Sequence, residues 1–286
     1  MYEQIVAGTD LSDTARIATD RAAMLASTLG ATLTLLHAGS DPGEPLAELG
    51  REYGAKTLAV RGNPAEVLIS EVDRLGADLL VTGSVGMSGA RRFMLGNVPN
   101  KVSHHVGTDL LIVKTDRPAR TSNSYDKILV GTDGSDTAMR AVDAASELAA
   151  KLSAVPVVAC VYEPPSEAEL KASRAGGGDA LAQWNLSRDA RDTPEEFRWR
   201  IAGASQAEDV LDRALSRAER FGARAETRAI RGNPAEALLE VADSEEFDLI
   251  VVGSVGMTGA KRFSLGNVPH RISHHAPIDV LIVHTN

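Results

Sequence analysis

The 286-residue chain reads as an α/β protein made of two tandem doubly wound domains, each a five-stranded parallel sheet with helices on both faces. Two observations predict this: short apolar runs alternate with helix-period stretches, and the chain is written twice. IVAGTDLSDTARIATDRAAMLAS at 5–27 returns as ILVGTDGSDTAMRAVDAASELAA at 128–150, an offset of 123. RGNPAE at 61 and 231, GSVGMSGARRFMLG at 83 against GSVGMTGAKRFSLG at 253, and DLLIV at 109 against DVLIV at 279 share an offset of 170. The offsets differ by 47, so the second half carries about that many extra residues, within about 163–207.

Strands of the first half are expected at 4–8, 32–38, 56–61, 78–83 and 109–113, where the apolar runs fall. Between the first two, Ala15, Ala18, Ala22, Leu25 and Leu29 follow the spacing of one helix face, with Ser12 placed to cap its start and Gly30 its end. NPAEVLISEVDRLG gives a second helix, with Asn63 before Pro64 at its start and Gly76 after its end. The glycine stretch follows the fourth strand, and a helix at about 98–105 leads into the fifth. KTDRPARTSNSYD at 114–126 is polar and poor in large apolar residues, so a linker is expected at 118–126, between domains at 1–117 and 127–286. Such alternation implies parallel strands covered by helices.

Composition narrows the function. Hydrophobic residues at 43% and charged residues at 24% suit a globular protein. A formal net charge of −9 disfavours nucleic acid and anionic membrane surfaces as partners. No apolar run approaches the roughly 20 residues that cross a bilayer, and MYEQIVAGTD lacks the features of a signal peptide, so the cytoplasm is the expected location. A single cysteine, Cys160, and the lack of a clustered His/Cys ligand set argue against a disulfide and a metal site.

In doubly wound sheets ligands sit beyond the carboxyl ends of the strands, where strand order reverses. Two loops qualify: GTD after the first strand, carrying Asp10 and Asp133, and the glycine loop after the fourth. A loop entering a helix offers unpaired N–H groups and the positive end of the dipole, and glycines let phosphate oxygens approach. Aspartates at the first loop suit ribose hydroxyls. Phosphate at one loop and sugar at the other describe a nucleotide. A glycine-rich turn that is only a turn is the competing reading, and duplication copies structural glycines as faithfully as functional ones. Neither G-x-x-x-x-G-K-[ST] nor a G-x-G-x-x-G after the first strand is present.

Gly83-x2-Gly86-x9-Gly96 and Gly253-x2-Gly256-x9-Gly266 follow DLLVTGS and DLIVVGS and precede a helix and DLLIV or DVLIV. Together with GTD-x-S after the first strand, they resemble the universal stress protein family over both halves, leaving out the linker and the insert. The resemblance implies a strand order of 3-2-1-4-5 and an adenine-nucleotide site in each half. It implies that Gly83, Gly86, Gly96 and the amide of Val98 face the phosphates in one half, and Gly253, Gly256, Gly266 and Val268 in the other. Asp10 and Asp133 would face the ribose, while Gly8, Thr9, Gly131, Thr132 and the backbone of Ala38 and Val161 would frame the adenine. The motif's last Ser/Thr is Asn97 or Asn267 here, which can cap a helix and donate to an anion but has no hydroxyl. AMP and cyclic AMP therefore stand beside ATP, with Mg2+ accompanying ATP. The implied function is a nucleotide-binding regulator or sensor in the stress response. A weak ATPase and a non-binding scaffold with vestigial sites are the alternatives, since no general base recurs beyond Asp10 and Asp133. Family members pair their last strands, so the halves are expected to form an internal pseudo-dimer, and the whole chain to be capable of dimerising again.

Other residues invite weaker readings. Arg91, Arg92, Lys261 and Arg262 either close over phosphates or form a solvated basic loop. His104-His105 and His274-His275 suit the negative end of a helix dipole better than metal or catalysis. Cys160 reads as a small buried side chain. The insert holds Trp184 and Trp199, with Tyr162 and Phe197 nearby, and leaves the carboxyl end of a strand; a lid over the second site, a partner surface and a loop all fit it.

Overall fold

The computed structural model describes residues 2–85, 95–115, 124–162, 195–255 and 265–284, the side chains of 195–206 excepted. In the first half β1 (Gln4–Gly8), α1 (Asp13–Leu29), β2 (Thr32–Ala38), α2 (Glu44–Tyr53) and β3 (Lys56–Val60) are followed by α3 (Pro64–Leu75), β4 (Leu79–Gly83), α4 (Asn97–His105) and β5 (Asp109–Val113). The second half gives β6 (Lys127–Gly131), α5 (Asp136–Leu152), β7 (Val155–Tyr162), α6 (Glu195–Arg220) and β8 (Glu226–Arg231), then α7 (Pro234–Ser244), β9 (Leu249–Gly253), α8 (Asn267–His275) and β10 (Asp279–Val283).

Local chemistry sets the helix ends. Ser12 Oγ accepts from the Ala15 N–H at 3.2 Å, and Ser135 Oγ from Ala138 at 3.3 Å. Gly30 closes α1 at φ 70° and Gly76 closes α3 at φ 60°, both left-handed as helix-ending glycines are. Asn63 Oδ1 accepts from Ala65 at 3.2 Å ahead of Pro64. Helix α2 had no place in the sequence reading. It buries only Leu46, Leu49 and Gly50, a stripe too short to register as a helical period.

The strands form one sheet in the order β3-β2-β1-β4-β5-β10-β9-β6-β7-β8. Each half has the order 3-2-1-4-5 with parallel pairing, and the two meet where β5 pairs antiparallel with β10, Leu281 opposite Leu111. Side chains alternate between two apolar layers that run from half to half. Ile5, Ala7, Leu111 and Leu281 lie under α1, α2, α5 and α6; Val6, Leu110, Ile112 and Ile282 lie under α3, α4, α7 and α8.

Polar groups clamp this seam. Asp109 accepts from the Tyr2 hydroxyl at 2.7 Å and from the His284 N–H at 2.8 Å. Asp279 accepts from the Tyr125 hydroxyl and from the Lys114 N–H, each at 2.8 Å, with Arg21 Nε 3.2 Å away. The Arg21 guanidinium also lies 4.5 Å from the centre of the Tyr125 ring. Each aspartate thus joins its own half's N-terminal tyrosine to the far end of the other half's last strand. Burial pushes both carboxyls above the usual carboxylate range. Tyr125 lies at the end of the segment expected as a linker, yet it is fully buried. Residues 195–207, expected within the insert, continue into α6 as a single helix.

Candidate functional site

The described residues that the sequence singles out lie along the carboxyl ends of the strands. Gly8 ends β1, with Thr9 and Asp10 next; Ala38 ends β2 on one side of it and Gly83 ends β4 on the other. The chain leaves β1 towards β2 and returns on the opposite side as β4, so the reversal of strand order falls between β1 and β4. Gly131, Thr132, Asp133, Val161 and Gly253 repeat the arrangement at β6, β7 and β9. Gly86, Gly256, Arg91, Arg92, Lys261, Arg262 and Trp184 lie outside the described residues; Phe197 and Trp199 fall on the first turns of α6.

Internal hydrogen bonds hold the first loop. The Thr9 N–H donates to Leu36 O at 3.0 Å, Thr9 Oγ1 accepts from the Leu11 N–H at 3.1 Å, and Asp10 Oδ1 accepts from the Ser12 N–H at 3.1 Å. In the second half Thr132 Oγ1 accepts from Gly134 at 3.2 Å and Asp133 Oδ1 from Ser135 at 3.0 Å. These side chains tie the strand end to the helix start, which fixes both aspartates at the sheet edge.

The glycines work by close approach. None of Gly8, Gly83, Gly96, Gly131, Gly253 and Gly266 holds a positive φ. A Cβ on Gly8 would lie 2.9 Å from Leu68 Cδ2, and one on Gly131 would lie 2.8 Å from Leu238 Cδ1. On Gly253 it would meet the Ala138 backbone nitrogen at 3.0 Å, and on Gly83 the Thr115 methyl at 3.2 Å. The Gly96 N–H donates to Ser84 O, and the Gly266 N–H to Ser254 O, each at 2.8 Å, so the glycine loop closes on the end of its strand. Helices α4 and α8 then start without a side-chain cap. Gly96 and Gly266 are the N-caps, so Asn97 and Asn267 stand exposed as the first helical residues and do not cap. Pro99 and Pro269 carry no N–H in the third position, which leaves the amides of Asn97 and Val98, and of Asn267 and Val268, at the helix mouths.

His37 escaped the sequence reading. Its Nδ1 lies 3.0 Å from Thr9 O, between the loop and Ala38. Its counterpart at an offset of 123 is Cys160, whose buried thiol is pushed up to about 11 by burial and by Asp133. The repeat alignment itself pairs these positions, and that was the signal available. The second half differs further: Val210 and Arg213 of α6 press on Gly134, beside a cleft of about 380 Å3 lined by Asp136, Met139, Arg217 and Arg220. Among the described residues no group of three or more His, Cys, Asp or Glu is arranged to hold a metal ion, and no helix is long and apolar enough to cross a membrane.

Residues 1–59, 47–114 and 124–284 match the universal stress protein family. A universal stress protein of Mycobacterium tuberculosis is 38% identical over 167 residues, covering 57% of this chain and 99% of the relative. A solved universal stress protein from Archaeoglobus fulgidus covers 99% of this chain and 96% of its own, with a TM-score of 0.63 at 16% identity, a likeness of fold along the whole tandem chain. A universal stress protein solved in complex with cAMP is 36% identical, covers 57% of this chain and 99% of its own, and has a TM-score of 0.42.

Proposed function

The chain belongs to the universal stress protein family, and from that membership we propose that it binds an adenine nucleotide at the carboxyl edge of each half and acts as a nucleotide-responsive regulator of the stress response. The observation that carries this reading is the pair of uncapped helix mouths. In each half the amides, of Asn97 and Val98 or of Asn267 and Val268, stand at the carboxyl ends of the strands with that half's aspartate loop, which bears Asp10 or Asp133. Free amides at the positive end of a helix dipole suit phosphate oxygens, and a carboxylate beyond the neighbouring strand suits ribose hydroxyls. Gly8, Thr9 and Ala38, with Gly131, Thr132 and Val161, supply backbone beside that carboxylate for the adenine; Gly83, Gly96, Gly253 and Gly266 supply backbone on the phosphate side. Gly86 and Gly256 complete the motif. Mg2+ would accompany ATP.

A scaffold with vestigial sites is the second reading, favoured by the packing neighbour that each of Gly8, Gly83, Gly96, Gly131, Gly253 and Gly266 finds within the protein. Calorimetric titration of nucleotide-stripped protein with ATP, AMP and cyclic AMP separates the two. Binding of at least one of them at one or two equivalents is expected. The double variant Asn97→Asp, Asn267→Asp should lose at least tenfold in affinity while staying folded, because a carboxylate at a helix start repels phosphate yet stabilises the helix by about 0.3–1 kcal/mol. No binding by the unaltered protein at millimolar nucleotide selects the scaffold.

A further inference from the structure

Across the seam, α4 and α8 meet through histidines. The His270 ring centre lies 4.5 Å from that of His274 on its own helix and 5.4 Å from that of His104 on α4. His274 Nε2 lies 3.1 Å from Asn100 Oδ1, so a neutral imidazole with its proton on Nε2 donates to that amide oxygen. By the offset of 170, His104 is the counterpart of His274, and Asn100 of His270. A contact that is histidine on asparagine on one side of the pseudo-twofold is therefore histidine on histidine on the other. All three rings are partly buried.

The charged and titratable groups bearing on His274 are His270 and His275 of its own helix, Lys114 beyond β5 and His104 of α4. Those bearing on His104 are His270 and His105. None of them is an anion, and the Lys114 ammonium is held in place by donating to Ser273 O at 2.8 Å. Burial first, then these neighbours, lowers the pKa of His104 and brings that of His274 to about 4.

We propose that His104, His270 and His274 form an acid-sensitive catch between the two halves. Neutral, the rings pack α4 against α8; protonated, they repel one another and loosen the two helices whose first residues stand at the candidate sites. The sign follows from linkage. A histidine that titrates lower when folded gives stability that is complete above the unfolded value of about 6.5 and is lost as pH falls towards the folded one. Each such histidine lowers the folded-to-unfolded ratio by up to tenfold per pH unit in that window.

The test needs no nucleotide, so its failure is distinct from failure of the binding reading. Urea unfolding is measured from pH 7.5 to 4.5 for the full chain, His274→Asn, His270→Asn and, as a control away from the seam, His37→Asn. His270→Asn places at 270 the residue that stands at 100, and decides the matter if His274→Asn does not fold. The unaltered chain and the control should lose stability towards acid more steeply than the two cluster variants, by up to tenfold in the folded-to-unfolded ratio per pH unit. Hydrogen exchange in α4 and α8 should quicken in acid ahead of the rest of the protein, and should not do so in His270→Asn. Parallel pH profiles for the unaltered chain and His270→Asn, equal flattening by the control, or exchange that quickens uniformly would overturn the catch.

Discussion

At the residue scale, the two halves disagree about where glycine is needed. Leu11, Ser153 and Glu246 are the non-glycine residues with positive φ among those described, at 64°, 58° and 56°. Their counterparts are Gly134, Gly30 and Gly76, at 82°, 70° and 60°. One backbone conformation is thus shared by both copies, and a side chain is strained into it in one of them, at roughly 1–2 kcal/mol per residue. Ser153→Gly is expected to raise stability by about 1 kcal/mol in urea unfolding, since Ser153 ends α5 with its N–H on Ala149 O much as Gly30 ends α1. Legibility follows the same division. Gly30 and Gly76 announced helix ends because glycine favours the left-handed region, whereas nothing in a serine or a glutamate signals it. Thr9 and Asp10 were readable as a switch-point loop; their bonds to Leu11 and Ser12 were not, because Asx-type turns depend on loop geometry more than on residue type.

At the element scale, equal sequence hides unequal packing. Gly83 and Gly253 are motif equivalents, yet Gly253 faces the first turn of α5 while Gly83 faces a threonine methyl beyond β5. Gly253→Ala should therefore destabilise by about 1–3 kcal/mol, because backbone must move to admit the methyl group, and Gly83→Ala by less, because the nearest atoms there, Thr115 Cγ2 at 3.2 Å and Val85 O at 3.3 Å, stand farther off. Thermal or urea unfolding of the two single variants checks the order; equal losses would mean that both strand ends relax alike. Helices α2 and α6 show the larger divergence. In the first half the Leu11 side chain packs on the core beside α1, whereas in the second Gly134 has none and Val210 of the longer α6 fills the place. Strand positions of the first half were readable because short apolar runs bounded by helix caps mark them. The extent of α6 was not, since its first turns, EEFRWRIAGASQ, include Gly203 and are rich in polar residues, and the apolar stripe of Ala207, Val210, Leu211 and Ala214 starts only beyond them.

For the whole molecule, the seam decides integrity. Asp279→Ala removes the acceptor for the Tyr125 hydroxyl and the Lys114 N–H and the ion-pair partner of Arg21 together, and should cost about 3–5 kcal/mol in urea unfolding because it strands buried donors and a cation. A loss under 1 kcal/mol would mean that water replaces the carboxylate. The pairing of the last strands was anticipated, since an apolar edge left open invites aggregation. The clamp was invisible, because Tyr2, Tyr125, Asp109 and Asp279 acquire meaning only when the end of one half's strand reaches the start of the other's. The antiparallel register of β5 and β10 carries one more consequence. Each half is parallel within itself and β5 runs against β10, so the carboxyl ends of the two halves lie on opposite edges of the one sheet. A compact reader docked at one edge has no view of the other. A protein that reports both occupancies has to contact both edges of the sheet.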